Sequence, residues 1–141
     1  MTTLPRTPVY GAADASYQAA GGIEGLRRLV DDFYDIMDSW EPARGIREMH
    51  SKELSTARDK LACFLSGWLG GPKLFQEHYG QISIPRFHTS WPIGAAERDA
   101  WLGCMAQAIE LQPYSSEFKV YLLQQLRVPA ERIVQVQQRH D

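Results

Sequence analysis

The sequence contains few cysteines, no long apolar segment and no excess of charge of either sign. Only Cys63 and Cys104 occur among its 141 residues, and the lack of a Cys-x-x-Cys pair excludes a zinc ribbon and an iron–sulfur cluster. No apolar run approaches the roughly 20 residues that a membrane-spanning helix needs. The 15 Lys and Arg are balanced by 17 Asp and Glu, so we expect neither nucleic acid nor an anionic membrane as a partner.

Motifs of nucleophilic and phosphate chemistry are also missing. The sequence has no Gly-x-Ser-x-Gly elbow, no glycine-rich phosphate loop and no His-Glu-x-x-His pair. Its first residues lack the basic and apolar segments of a signal peptide, and both cysteines fall on apolar helical faces. We therefore expect reduced, buried cysteines in a single-domain cytoplasmic protein.

Apolar residues recur at steps of three and four along most of the chain, a spacing that predicts amphipathic helices. No alternating strand pattern of useful length occurs, so the predicted fold class is all-α. The four long helices are predicted from Ile23 to about Asp38, over 54–68, from about Ala95 to Leu111, and after Pro113, the last ending at Pro129 with a short terminal helix beyond it.

Proline and glycine divide the remaining segments. Residues 1–15 are predicted to form an extended lead-in, and residues 16–141 a domain. A short capped helix is expected over 14–20, and Pro42 favours the start of another that ends near His50. Residues 72–94 contain several prolines and glycines, so this segment can form only brief helical pieces.

His88 lies in a short segment, 84–93, that contains two prolines. A histidine held rigidly in this way and facing aromatic residues is suited to hold one metal centre in a helical protein. A lone histidine is nevertheless more often a surface or core residue, and His50, His78 and His140 form no close metal pair with it. We expect His78 on a surface loop and His140 exposed near the end of the sequence.

Three further side chains carry polar groups that need a partner when they are buried. Trp101 is predicted on the apolar face of a long helix, Tyr34 lies beside Phe33 on the first long helix, and His50 ends a short helix at a corner. Each residue alone is ordinary core. Together, an indole N–H, a phenol O–H and an imidazole suit a small, polarised ligand.

Several motifs resemble, in order and spacing, those of the truncated haemoglobins, the two-over-two helical globins, and specifically their second group. The similarity covers roughly residues 16–127. Its motifs are Ala20-Gly21-Gly22, LVDDFYDIM over 29–37, FLSGWLGGP over 64–72, HTSWPIG over 88–94 and ERDAWLGCM over 97–105. The resemblance implies a globin-like two-over-two helical sandwich that holds haem b.

By this resemblance, His88 is the proximal ligand of the haem iron. Trp101, Tyr34 and His50 are the distal residues that stabilise a bound ligand, and Ala57 stands where other globins have a distal histidine. The other residues implied to contact the haem are Leu61, Phe64, Trp91 and Ile93, with Lys60 and Arg86 as the candidates for its propionates.

One position departs from the pattern of the group. Its members commonly carry a basic residue immediately before the proximal histidine, and this sequence has Phe87 there. We therefore expect the propionates to be held somewhat more loosely, by Lys60 and Arg86.

The implied function is the binding of O₂, CO and NO at a five-coordinate haem iron. The alternative is a haem enzyme of the peroxidase or nitric oxide dioxygenase type, which would use the same polar pocket and a separate reductase. A haem-free helical interaction module is a third interpretation. A variant of the first is ligation of the iron by His50 or Tyr34 when no external ligand is present.

Overall fold

The structure is a computed structural model that describes residues 13–50, 52–80 and 94–139. The described residues contain seven α-helices, one 3-10 turn and no strand, so the predicted all-α class is confirmed. The elements are α1 (Ala15–Ala19), α2 (Gly22–Ser39), the 3-10 turn Glu41–Ala43, α3 (Arg44–Glu48), α4 (Ser55–Trp68), α5 (Leu74–Tyr79), α6 (Ala95–Glu110) and α7 (Ser116–Arg139).

Helix α2 lies at the centre of the packing. It packs against α4 on one side and α6 on another, and α6 in turn packs against α7. Its apolar residues explain this position, because Leu26, Val30, Phe33 and Met37 follow the helical repeat and are all buried. The pairs α2–α4 and α6–α7 therefore form the two layers of a helical sandwich.

The helix boundaries agree with the periodicity of the sequence except near the carboxyl end. Helix α7 continues without interruption through Pro129 to Arg139, so the predicted end at Pro129 is wrong. A proline inside a helix removes one backbone hydrogen bond, but the buried face of α7 extends past it. Leu126 and Ala130 are both buried, and this packing on either side of Pro129 keeps the helix continuous.

Two predictions fall largely or partly outside the described residues. The lead-in over 1–15 is described only from Ala13, and α1 begins at Ala15. In the segment 72–94, the structure describes residues 72–80, which contain one brief helix, α5. Residues 81–93 of this segment lie outside the described part. None of the described helices combines the length and the hydropathy needed to cross a bilayer.

The junction between α1 and α2 depends on glycine. Gly21 adopts a left-handed backbone conformation, with φ of 87°, and allows the chain to turn sharply between the helices. One turn later, a Cβ atom on Gly25 would lie 2.0 Å from the carbonyl oxygen of Ala20. A Cβ atom is fixed by the backbone and the Ala20 oxygen belongs to it, so no side-chain rotation could relieve that contact.

We therefore expect Gly25→Ala to lower the free energy of unfolding by about 1–3 kcal/mol. Gly45→Ala is the matched control, since a Cβ on Gly45 would meet nothing within 4 Å. This variant should be neutral or more stable by up to about 1 kcal/mol, because alanine favours helix over glycine. Urea denaturation measures both values, and equal stabilities of the two variants would contradict the role given to Gly25.

Candidate functional site

The fold brings together three side chains that the sequence analysis singled out. Tyr34 comes from α2, Trp101 from α6, and His50 from the residues that follow α3. The Tyr34 and His50 ring centroids are 5.7 Å apart. Phe33 lies between Tyr34 and Trp101. Its ring centroid is 4.9 Å from that of Tyr34 and 5.2 Å from that of Trp101, and both contacts are edge-on.

Consecutive positions on α2 give Phe33 and Tyr34 different neighbours. Successive residues of a helix point about 100° apart, so Phe33 faces the core toward α6 while Tyr34 faces His50 and α4. Phe33 is completely buried, and Tyr34 is 5% exposed. The aromatic pair thus positions a phenol hydroxyl at the edge of the core.

Arg58 of α4 packs its guanidinium against the ring of Tyr34. Its guanidinium carbon lies 5.8 Å from the centroid of the Tyr34 ring, within the range of a cation–π contact. The guanidinium is fixed in turn by hydrogen bonds to the carboxylates of Asp31, at 3.1 Å, and Asp35, at 2.8 Å. Asp31 and Asp35 are one turn apart on α2, so this network also ties α4 to α2.

Burial controls the protonation of Tyr34. It raises the pKa of the phenol to about 12, against an opposing effect of the positive charge on Arg58. The hydroxyl therefore keeps its proton at any pH near neutrality. It can donate a hydrogen bond to a ligand.

His50 is also neutral near pH 7, for a related reason. Burial lowers the pKa of its imidazole, the backbone carbonyl of Ile46 acts in the opposite direction, and Arg47 lowers the pKa further. The Nδ1 atom lies 2.8 Å from the Ile46 carbonyl oxygen, a geometry in which Nδ1–H donates to that oxygen. A neutral ring bonded in this way carries a lone pair on Nε2. This arrangement favours Nε2 as an acceptor rather than the donor that the sequence suggests.

Trp101 supplies the second donor. It is half-buried on α6, one turn before the buried Cys104 and Met105. No described residue pairs with its indole N–H or with the hydroxyl of Tyr34, and within the described part of the chain no fully buried side-chain polar atom lacks a partner. Both donors therefore reach accessible space and are available to a ligand.

An apolar row runs along one face of α4. Ala57, Leu61, Phe64 and Trp68 are spaced by four, three and four residues and are all half-buried, which places them within a narrow arc of the helix. Phe64 and Trp68 stack with centroids 6.2 Å apart and planes 21° apart. We call these four residues the α4 row. It forms an apolar stripe along α4 that remains partly exposed.

The charged and metal-binding candidates are less completely described. The Lys60 ammonium lies 5.3 Å from the centroid of the Tyr79 ring. His88 lies outside the described residues, as do the other candidates in that segment, Arg86, Trp91 and Ile93, and also Phe87. His78 is exposed as expected, but it lies on α5 rather than on a loop.

Two residues that hold the donors in place, Phe33 and Arg58, do not stand out in the sequence. The sequence signal for Arg58 is the acidic pair Asp31 and Asp35 on one face of α2, because carboxylates on one face can pair with a cation from a neighbouring helix.

Comparisons with known proteins find relatives of the whole chain. The family model of bacterial-like globins matches residues 15–133. A group 2 truncated haemoglobin of Bacillus subtilis is 32% identical over 121 residues, which are 86% of this chain and 89% of that protein. Among solved structures, a cold-adapted truncated haemoglobin of the Antarctic marine bacterium Pseudoalteromonas haloplanktis is 32% identical with a TM-score of 0.81, covering 84% of this chain and 96% of its own.

A further structure supports the same grouping. The group II two-on-two haemoglobin of Agrobacterium tumefaciens is 30% identical to this chain, with a TM-score of 0.79. The alignment covers 94% of this chain and 97% of the relative. Similarity over nearly the full length of both chains extends to the arrangement of the helices and not only to isolated motifs.

The protonation of His50 can be tested directly. Because burial disfavours the charged ring, the imidazole should titrate below its ordinary pKa of 6.5. As the pH falls, His50 is therefore protonated in the unfolded chain before it is protonated in the folded one. The contribution of the neutral ring to the free energy of unfolding is complete above pH 6.5 and is lost as the pH falls toward the folded-state pKa. NMR titration, with signals assigned through His50→Gln, measures this pKa. A midpoint at or above 6.5 would contradict the arrangement described here.

Proposed function

The chain belongs to the bacterial-like globins, in the second group of truncated haemoglobins, a family that binds haem and small gaseous ligands, and we propose that it binds O₂, CO and NO at a five-coordinate haem b. The observation that carries this proposal is the pair of available donors, the Tyr34 hydroxyl and the Trp101 indole N–H, held on either side of the buried Phe33. Hydrogen-bond donors stabilise a small ligand that gains negative charge when it binds.

The described residues fit a haem. A porphyrin is a broad and largely apolar group, and the α4 row offers it a partly exposed apolar stripe with two stacked aromatic rings. Leu61 and Phe64 would lie against the ring, and the small side chain of Ala57 would leave room beside the ligand site. Burial of this row against a porphyrin would remove its remaining apolar surface from water, which favours binding.

His88 is the proposed proximal ligand. His88 would hold the iron of a bound haem, and that iron would supply the site at which a diatomic ligand binds. Trp91 and Ile93, three and five residues after His88, are also proposed to contact the haem. Lys60 and Arg86 are the proposed partners of the propionates. Lys60 directly precedes Leu61 on α4, so its ammonium can reach the rim of a group that rests on the α4 row.

The two donors set the expected rate of ligand release. A hydrogen bond to a charged group contributes about 1.5–3 kcal/mol, and about 1.36 kcal/mol corresponds to a factor of ten in rate. Each donor should therefore slow the loss of O₂ by about tenfold to a hundredfold. The phenol of Tyr34 is fixed by Phe33, His50 and Arg58, so little freedom is lost when it donates.

The same observation favours a second candidate, an enzyme. Two donors acting together would hold O₂ too long for a carrier that must release it. Such retention suits a nitric oxide dioxygenase, which converts bound O₂ and NO to nitrate, or a peroxidase, in which the donors polarise the peroxide bond. The dioxygenase would need electrons from a separate reductase, whereas a peroxidase would take them from the substrate that it oxidises. The rate of O₂ release distinguishes the two functions, since a carrier exchanges its ligand within about a second and an enzyme retains it.

The donors can be removed one at a time. Tyr34→Phe and Trp101→Phe should each speed O₂ dissociation by about tenfold to a hundredfold, because each loses one hydrogen bond to the ligand. Tyr114→Phe is the matched control, since its hydroxyl donates to the Ala20 carbonyl oxygen at 3.2 Å, away from the site, and its O₂ release should not change. Stopped-flow replacement of O₂ by excess CO measures all three rates. Unchanged rates in both test variants would rule out the donor role.

The haem and its ligand are tested by the optical spectrum of the reduced protein. We expect a five-coordinate ferrous spectrum, which His88→Ala should abolish and His140→Gln should leave intact. Two strong visible bands without added ligand would instead indicate a sixth ligand from the chain, and the lone pair on Nε2 of His50 is suited to that role. Protein prepared with ample haem that shows no Soret band would support the haem-free helical module and overturn the proposal.

A further inference from the structure

A second group of ligand-type side chains lies between α4 and α5. Asp59 and Cys63 belong to α4 and His78 to α5, and one atom from each lies within 4.8 Å of the others. The Sγ atom of Cys63 is 3.9 Å from Nδ1 of His78. We propose that these three side chains form a binding site for a divalent cation of the zinc class, distinct from the proposed haem site.

The local fold explains why these residues meet. Asp59 and Cys63 are one turn apart and therefore lie on the same face of α4. The chain then reverses, so that α5 packs back against α4. The Ser66 hydroxyl donates to the Pro72 carbonyl oxygen at 2.6 Å and fixes this reversal, and the left-handed Gly70, with φ of 90°, permits it.

The ligand chemistry matches zinc. A thiolate, an imidazole nitrogen and a carboxylate oxygen are its three usual protein ligands, at about 2.0–2.3 Å. Tetrahedral geometry at those lengths puts sulfur and nitrogen about 3.6 Å apart, so the observed 3.9 Å requires only a small movement. Cys63 is fully buried while His78 is exposed. Cys63 would thus bind the ion from the protein interior, and the fourth coordination position of the ion would face water.

The negative charge of Asp59 favours a cation beside Cys63 and His78, while the positive charge of the nearby Arg27 opposes it. Burial raises the pKa of the Cys63 thiol, and the negative charge of Asp59 raises it further. A divalent ion would reverse both effects by stabilising the thiolate directly. Binding should release the thiol proton to solvent, and the affinity should rise with pH.

Two side chains bind the carboxylate of Asp59 and would compete with the ion for it. Arg27 forms an ion pair with Oδ1 at 3.1 Å, and the Tyr79 hydroxyl donates to Oδ2. The hydrogen bond from Tyr79 and the positive charge of Arg27 together lower the pKa of Asp59. The Arg27 side chain is 48% exposed, so its ion pair is weak and easily exchanged. Removal of this competitor should strengthen cation binding.

The cluster is separate from the α4 row. At about 100° per residue, Asp59 and Cys63 lie on roughly the opposite side of α4 from Leu61 and Phe64. Haem binding and cation binding therefore use different faces of one helix. Zinc binding can be measured on the haem-loaded protein, because the X-ray absorption edge of zinc does not overlap that of iron.

Zinc titration of the haem-loaded full chain tests the proposal. We expect one equivalent to bind, with release of a proton measured calorimetrically in two buffers, and a zinc-edge spectrum with one sulfur neighbour at about 2.3 Å. His78→Gln should weaken binding by at least about tenfold, since even outer partners of metal ligands contribute that much. Cys63→Ser should remove the sulfur neighbour, and Arg27→Gln should tighten binding.

Matched controls make the result decisive. Cys104→Ser and His140→Gln remove the same ligand types elsewhere in the chain and should leave the zinc affinity unchanged. His78 is exposed, so His78→Gln should fold normally even if the buried Cys63→Ser does not. Zinc that binds without a sulfur neighbour, zinc affinity equal in His78→Gln and the parent protein, or no zinc retained after dialysis would each overturn the proposed site.

Discussion

The contact between Phe33 and Trp101 joins α2 to α6, and the geometry of the candidate ligand site depends on it. Phe33 is fully buried and makes edge-on contacts with both Tyr34 and Trp101. Such pairs contribute about 0.5–1.5 kcal/mol beyond the burial of their area. Their greater consequence is spatial, because the ring of Phe33 sets how far apart the two donors lie. One apolar side chain thus determines the arrangement of the polar groups around it.

Helix α4 serves three purposes through three faces. One face carries Arg58, which reaches α2 and holds the ring of Tyr34. A second carries the α4 row, and the third carries Asp59 and Cys63 toward α5. The 3.6-residue repeat separates these faces without any break in the helix. A helix of ordinary regularity can therefore carry the contact with α2, the α4 row and a polar cluster at once.

The helices could be predicted from the sequence wherever burial follows one period, as it does along α2 from Leu26 to Met37. The error at Pro129 has a physical cause, since a local rule about proline does not include the packing of Ala130 against the core. The proximity of Tyr34, His50 and Trp101 followed from the resemblance to a known family. The pairing of Cys63 with His78 could not be predicted, because it depends on how the chain reverses between α4 and α5.

The opposite pKa shifts of Tyr34 and His50 have a consequence for control of the site. The phenol loses its proton only near pH 12, and the imidazole gains one only below its ordinary value of 6.5. From about pH 7 to pH 10 neither group changes its charge. A Bohr-type response, in which acidification drives ligand release, therefore has no source in these two residues. Within that range, the hydrogen bonds that Tyr34 and His50 can offer to a ligand should not depend on pH.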